Sequence, residues 1–185
     1  MDADAPKAWD VIRSEPGPDL VLFQARYDWV RNPRNAKSMK AVILECPDWI
    51  NIVAVTPERK LVVVKQFRFG VAKTTVEIPA GIIEEGETSQ QAAIRELLEE
   101  TGYTTSNWNY LGWAEANPAF LNNICHHWLA LDVVKTDAMQ LDDGEEIAVR
   151  ELSLEEVGRE ITKGSMRNAL TLLALSRVFD LRNIE

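Results

Sequence analysis

An α/β sandwich, with a mixed β-sheet covered by helices on both faces and a small β segment ahead of it, is the architecture this sequence predicts. Short apolar and β-branched runs bounded by turn residues recur along the chain, as in INIVAV at 50–55 and KLVVVKQF at 60–67. A single well-delimited helix stands in the middle, and an apolar stretch at helical spacing closes the chain.

Taken in order, residues 1–19 carry Pro6, Pro16 and Pro18, a composition that suits an arm more than a core element. LVLFQARYDWV at 20–30 alternates apolar and polar residues and reads as a strand. NPRNAKS at 32–38 is a turn-rich connection to a second strand, MKAVILE at 39–45. TPER then joins the runs at 50–55 and 60–67 as a hairpin, and TTVEIPAG at 74–81 is a short strand that must turn sharply at Pro79 and Gly81. Further strands are expected at 109–116 and 126–134, joined by NPAFLNNIC, and the acidic loop LDDGEEIAV at 141–149 enters another. Ser153 with Glu156 forms a capping box for a helix through about Thr162, Lys163-Gly164 breaks it, and a closing helix is expected over 165–180.

The central helix is the most informative element. Thr88 followed by Gln91 reads as a capping box, and Gly102 as the C-terminal stop, which leaves a helix of about 13 residues. At about 100° per residue, Glu99 and Glu100 fall on either side of Glu96's direction one turn on, so three carboxylates share one face. Ile94, Leu97, Leu98 and Thr101 are expected on the buried side. Like charges at this spacing repel by a few tenths of a kcal/mol per pair, a cost that a bound cation reverses. Oxygen-only ligands select a hard cation such as Mg²⁺, which suits a phosphate substrate. Arg95, four residues before Glu99, is placed to orient that carboxylate.

At 185 residues, with 46% hydrophobic and 26% charged residues, the chain suits one catalytic domain and about 40 residues more. The expected division is a β arm at 1–48, used for dimerisation, and a catalytic domain at 49–185. A net charge of −9 argues against nucleic acid as partner. The opening MDADAPKAWD lacks the pattern of a signal peptide, and no apolar stretch approaches a membrane span, so a cytoplasmic protein without a membrane partner is expected. Cys46 and Cys125 are too few for a disulfide framework and read as buried thiols. His126 and His127 are adjacent on a strand, so at most one would face a cleft; structural roles are favoured for both.

Gly81, Glu87, Arg95, Glu96, Glu99, Glu100 and Gly102, with Leu97 and Tyr103 at the apolar positions, resemble the Nudix box, G-x(5)-E-x(7)-R-E-U-x-E-E-x-G-U. Every fixed position matches; Tyr103 stands where Ile, Leu or Val is commoner. QFRFG at 66–70, VEIPAG at 76–81 and Pro118, sixteen residues after Gly102, are similar to segments of the ADP-ribose and nucleoside-diphosphate-sugar pyrophosphatases. The likeness extends over about residues 49–150.

This resemblance implies a Nudix fold and metal-dependent hydrolysis of a P–O–P linkage, with Mg²⁺ or Mn²⁺ as cofactor. It implies that Glu96 and Glu100 bind metal most directly, with Glu99 and the backbone carbonyl of Ala80 completing the site. Arg68 would hold a phosphate, and Glu77 would face the cleft near a ribose hydroxyl. The base would be a carboxylate on the acidic loop, Glu145 first, with Glu146 and Asp143 as competitors, or a box glutamate such as Glu99. Enzymes of this group pair through N-terminal sheets, so a homodimer is expected. Tyr27 and Trp29 would then stack on a base or pack against the partner or the core. Hydrolysis of dinucleoside polyphosphates or nucleoside triphosphates is the alternative activity, disfavoured by Pro118 and the QFR segment. A non-catalytic nucleotide-sugar sensor is disfavoured by the intact box.

Overall fold

The computed structural model describes residues 5–141, 144, 146–182 and 184. The chain divides into two compact units: one comprises the chain up to Pro47 with Glu115–Asn123, the other Asp48–Ala114 and the chain from Ile124 on.

The first unit is built on a three-stranded antiparallel sheet of β1 (Asp10–Asp19), β2 (Gln24–Arg31) and β3 (Ser38–Glu45), in that order. β1 corrects the expectation of an arm. It is an edge strand, where prolines cost no ladder bond on the outward side, and its register with β2 shifts between Pro16 and Asp19. The strand expected from residue 20 begins instead at Gln24. Leu20–Phe23 form a tight turn, closed by the Leu20 N–H donating to Phe23 O at 2.8 Å, with Val21 at φ 70°. Within the unit, the Leu44 N–H donates to Phe120 O at 2.7 Å, which ties the 115–123 segment to β3.

The second unit is a sandwich around a seven-stranded mixed sheet. Its strands are β4 (Trp49–Val55), β5 (Leu61–Arg68), β6 (Lys73–Glu77), β7 (Ala80–Ile82), then, after helix α1 (Ser89–Thr101) and the short β8 (Tyr103–Thr104), β9 (Asn107–Glu115) and β10 (Ile124–Leu131), and, after the short β11 (Val134–Lys135), β12 (Ile147–Leu152). The path is β12-β5-β4-β10-β9, with β6 paired to β5 and β7 to β4, and β8 and β11 form a separate ribbon. β10 runs parallel to β4, which makes the sheet mixed.

Alternation along β4 supplies both faces. Ile50, Ile52 and Ala54 pack with Ala92, Ala93 and Leu97 of α1. Val53, with Val63, Val76 and Ile78, packs with Val157 of α2 (Leu154–Lys163) and Ala174 and Leu175 of α3 (Ala169–Ser176). The predicted α/β sandwich is therefore the observed one. α3 is shorter than the expected 165–180, because Ser165 O accepts from the Val76 N–H of β6 at 3.0 Å and Asn168 caps the helix. Cys125 is buried and Cys46 only half-buried. No helix among the described residues is long and apolar enough to cross a membrane.

Candidate active site

α1 is fixed at both ends by its own sequence. The Thr88 hydroxyl accepts from the Gln91 N–H at 3.3 Å, and the Gln91 side chain accepts from the Thr88 N–H at 2.9 Å. Gly102 takes the left-handed conformation, φ 74°, and a Cβ there would lie 2.3 Å from Asp137 O, so only glycine ends the helix at this place. Ala92, Ala93 and Leu97 then anchor the helix in the core. Ile94, expected on that side, is 45% exposed, because the buried stripe of the helix runs through Ala92, Ala93, Leu97, Glu100 and Thr101.

The rotation this sets turns Arg95, Glu96, Glu99 and Glu100 toward β7. They share a cleft of about 420 Å³ with Gln66 and Arg68 of β5, Ala80–Ile82, Glu84 and Gln140. Four carboxylates face two guanidinium groups in this lining. Arg95 is its hub. Its Nε and Nη2 each donate to the Glu87 carboxylate at 2.9 Å, Nη1 donates to Glu96 at 2.7 Å and Glu99 at 3.1 Å, and Nη2 also donates to Ile82 O at 3.0 Å. Hydrogen bonding to Glu87, then to Glu96, holds the Arg95 pKa well above its usual value, and the Arg95 hydrogen bond holds Glu87 below the usual carboxylate range. One arginine thus offsets the repulsion along the helix and ties it to the preceding loop.

Glu100 lies deeper than Glu96 and Glu99. It is 2% exposed, and its Oε2 accepts the Ala80 N–H at 3.0 Å, because the close approach of β7 to α1 covers it. Gly81 makes that approach possible: a Cβ there would stand 2.0 Å from the Glu96 carboxyl.

Arg68 and Glu77 form a bidentate pair, Nε to Oε1 at 3.0 Å and Nη2 to Oε2 at 2.9 Å. The Thr75 hydroxyl and Asn168 Nδ2 add hydrogen bonds to the same carboxylate at 2.6 and 2.8 Å. Burial alone would raise the Glu77 pKa; Arg68, Thr75 and Asn168 outweigh it and hold the group below its usual range. Glu77, expected to face the cleft, is 2% exposed and turned to Arg68 instead, since a buried carboxylate needs these donors. Arg68 does line the cleft.

The structure thus brings together Arg68, Ala80, Arg95, Glu96, Glu99 and Glu100. Tyr27, Trp29 and Pro118 belong to the other unit. There Lys40 Nζ lies 3.6 Å from the Tyr27 ring centroid and Arg13 lies 3.6 Å from that of Trp29, so each aromatic face already carries a cation. Glu145 lies outside the described residues, as does Asp143. Neither histidine lines the cleft. His126 contacts the Tyr110 hydroxyl through Nδ1 at 2.7 Å, whereas His127 is fully buried with neither ring nitrogen hydrogen-bonded among the described residues. Burial, then the Arg177 charge, pushes the His127 pKa down to about 4.

Sequence reasoning missed Gln66, Glu84, Gln140 and Asn168. Gln66 had a signal, because it sits two residues before Arg68 on one strand and so on the same face. Gln140 had none: it reaches the site through a backbone bond from its N–H to Glu99 O at 2.9 Å.

Among the described residues no three carboxylate, imidazole or thiol side chains already converge on one point, because the Arg95 fork holds Glu96 and Glu99. The donor set nonetheless fits a hard divalent cation. Glu96, Glu99, Glu100 and the Ala80 backbone offer oxygen alone, and the glycine at 81 keeps the space in front of Glu96 that a side chain would fill.

A sandwich whose sheet delivers an arginine and whose capped helix delivers a fixed row of carboxylates into one cleft defines a hydrolase acting on phosphoanhydrides. The NUDIX domain model matches residues 49–173, and the chain belongs to that family as a Nudix pyrophosphatase. Nudix hydrolases generally use divalent metal ions. The chain is 37% identical over 142 residues to the ADP-ribose pyrophosphatase of Bacillus subtilis, covering 76% of this chain and 77% of that one. It is 34% identical over 142 residues to the methanol dehydrogenase activator of Bacillus methanolicus, with the same coverage of 76% and 77%. A solved structure described as an ADP compounds hydrolase shares the fold, with a TM-score of 0.83, 18% identity and 95% of each chain covered.

Proposed function

We propose that the protein hydrolyses the diphosphate linkage of a nucleoside diphosphate sugar, ADP-ribose or a related compound such as GDP-mannose, to a nucleoside monophosphate and a sugar phosphate. The observation that supports this best is the placing of Arg68 and the box carboxylates in one cleft, in a chain 37% identical to an ADP-ribose pyrophosphatase. In this reading Arg68 grips the diphosphate, its guanidinium oriented by the pair with Glu77. Glu96, Glu100, Glu99 and the Ala80 carbonyl would hold Mg²⁺ or Mn²⁺, which when bound would supply charge neutralisation on the diphosphate and a lowered pKa for a water.

Water attacks one phosphorus, the bond from that phosphorus to the bridging oxygen breaks, and the bridging oxygen leaves on the other phosphate. A carboxylate takes the proton of the attacking water. Glu145 is the first candidate for that base and Glu99, at the open side of the Arg95 fork, the second. Arg95 acts by holding Glu96 and Glu99 in place. The β segment 1–48 serves for dimerisation in a cytoplasmic homodimer, with Tyr27, Trp29 and Pro118 contributing to nucleotide binding, and 49–185 as the catalytic domain.

The test is a panel of ADP-ribose, GDP-mannose, UDP-glucose, a dinucleoside polyphosphate and nucleoside triphosphates, read by phosphate release after phosphatase treatment. ADP-ribose is expected to give the highest kcat/KM, with turnover abolished by chelation and restored by Mg²⁺ or Mn²⁺. A preference for dinucleoside polyphosphates or triphosphates, or turnover in metal-free buffer, overturns the reading.

A further inference from the structure

We infer that Asn168 is a positioning residue for Arg68, acting through Glu77 to hold the phosphate-binding guanidinium at the cleft. The inference rests on the reading that Arg68 grips the diphosphate.

Asn168 stands 91 residues from Glu77, in the connection between α2 and α3, and its side-chain amide is engaged at both ends. Oδ1 accepts from the Leu170 and Thr171 N–H groups at 2.9 and 3.3 Å, which caps α3. Nδ2 donates to Glu77 Oε2 at 2.8 Å. The reverse orientation would aim an oxygen at a carboxylate and an NH₂ at two N–H groups, so the surroundings admit only this one. The same connection is stitched to β6 one residue earlier, where the Val76 N–H donates to Ser165 O at 3.0 Å. The α2–α3 connection therefore fixes both the backbone beside Glu77 and its carboxylate.

The Glu77 carboxylate matters because of what it carries outward. It is 2% exposed, while the Arg68 side chain is 41% exposed, so the pair links the interior to the cleft lining. A long arginine half in solvent has many rotamers, and bidentate pairing to an immobile carboxylate removes most of them before substrate arrives. Oε2 receives Arg68 Nη2 and Asn168 Nδ2 together, so the amide sets the rotation of the carboxylate to which the guanidinium aligns. Cap and relay are separable by mutation. Serine and aspartate cap a helix about as well as asparagine, but serine is too short to reach Glu77, and aspartate turns the donor into an acceptor facing a carboxylate.

The test compares N168S, N168D, Arg68→Ala and the N168S/R68A double variant, with kcat and KM for ADP-ribose and thermal melting measured on the full chain. N168S is expected to raise KM roughly three- to tenfold, as Arg68 regains rotamers that substrate must then freeze, with kcat within about twofold and a melting temperature lower by a few degrees, because a buried carboxylate loses one donor. N168D should raise KM at least as much, and carries the test if N168S fails to fold. In the R68A background, N168S should add nothing. An unchanged KM in N168S or N168D while R68A raises it overturns the Asn168 inference and leaves the Arg68 reading standing. A KM effect of N168S that persists in full without Arg68 also overturns it, since the residue then acts by another route. An unchanged KM in R68A removes the Arg68 reading and this inference with it.

Discussion

Gly81→Ala separates activity from stability in a way the structure makes quantitative. An ideal Cβ at 81 would lie 2.0 Å from the Glu96 Cδ and Oε1, against 3.4 Å for an ordinary contact, so the carboxylate must retreat by about 1.4 Å. It is the far end of a flexible side chain, and it moves before the backbone does. The 2.7 Å bond from Arg95 Nη1 to Glu96 Oε1 does not survive a displacement of that size. A misplacement of about 1 Å at a reacting centre costs on the order of 10²-fold, so kcat should fall by about two orders of magnitude and the metal requirement should rise. Stability should hardly move. Gly81 is not among the glycines at positive φ, and alanine there lowers unfolded-state entropy by about 0.4–1 kcal/mol, against about 0–1 kcal/mol for the weakened ion pair. At about 2–4 °C per kcal/mol for a chain of this size, the melting temperature should stay within about 4 °C of wild type. Steady-state kinetics with ADP-ribose across a Mg²⁺ titration, beside thermal melts, decide it. More than about a third of wild-type kcat would refute the steric argument, and lost activity accompanied by a collapse in melting temperature would show that Gly81 serves the fold.

Glu100→Gln keeps an oxygen to accept the Ala80 N–H but removes the charge, so kcat should fall by about 10²–10³-fold with circular dichroism unchanged; wild-type turnover would remove Glu100 from the metal site. For His127, burial depresses the folded pKa to about 4 from 6.5, so the unfolded chain binds the proton first. Its neutral form is compatible with full stability above about pH 6.5, and on the order of 3 kcal/mol is lost as pH falls toward 4; urea unfolding at pH 7 and 5 should show a fall that His127→Leu flattens, and an equal fall in the variant would assign it elsewhere. Glu145→Gln should lower kcat by about 10²–10⁴-fold with KM little changed. Retention of more than about a third of kcat would pass the role of base to Glu99.

What the sequence makes legible is what depends on near neighbours. The Thr88–Gln91 box, the Gly102 stop and the i, i+3, i+4 spacing of the glutamates are local, and each holds in the structure. Strand existence follows from β-branched runs, but boundaries slip where tertiary pairing decides. β1 forms despite two prolines because an edge accommodates them, and the closing helix starts late because Ser165 and Asn168 bond to β6 instead of coiling.

The carboxylates show the same division within one site. The spacing places Glu96, Glu99 and Glu100 on one face, yet it cannot say that Glu100 lies covered beneath Ala80 while Glu99 stays open, since that depends on how closely β7 approaches α1. Nor can a list of charges say which carboxylate belongs to which arginine. Glu77 reads equally well as a substrate contact and as an anchor; its near-complete burial decides for the anchor, because a carboxylate removed from water needs donors, and four hydrogen bonds from Arg68, Thr75 and Asn168 reach it. The consequence for mechanism is that the two arginines of the cleft hold different standing. Arg95 is bound to three glutamates and a carbonyl and has a structural task in this fold, and the proposed function therefore gives the grip on a diphosphate to Arg68, the arginine paired with Glu77 outside the box.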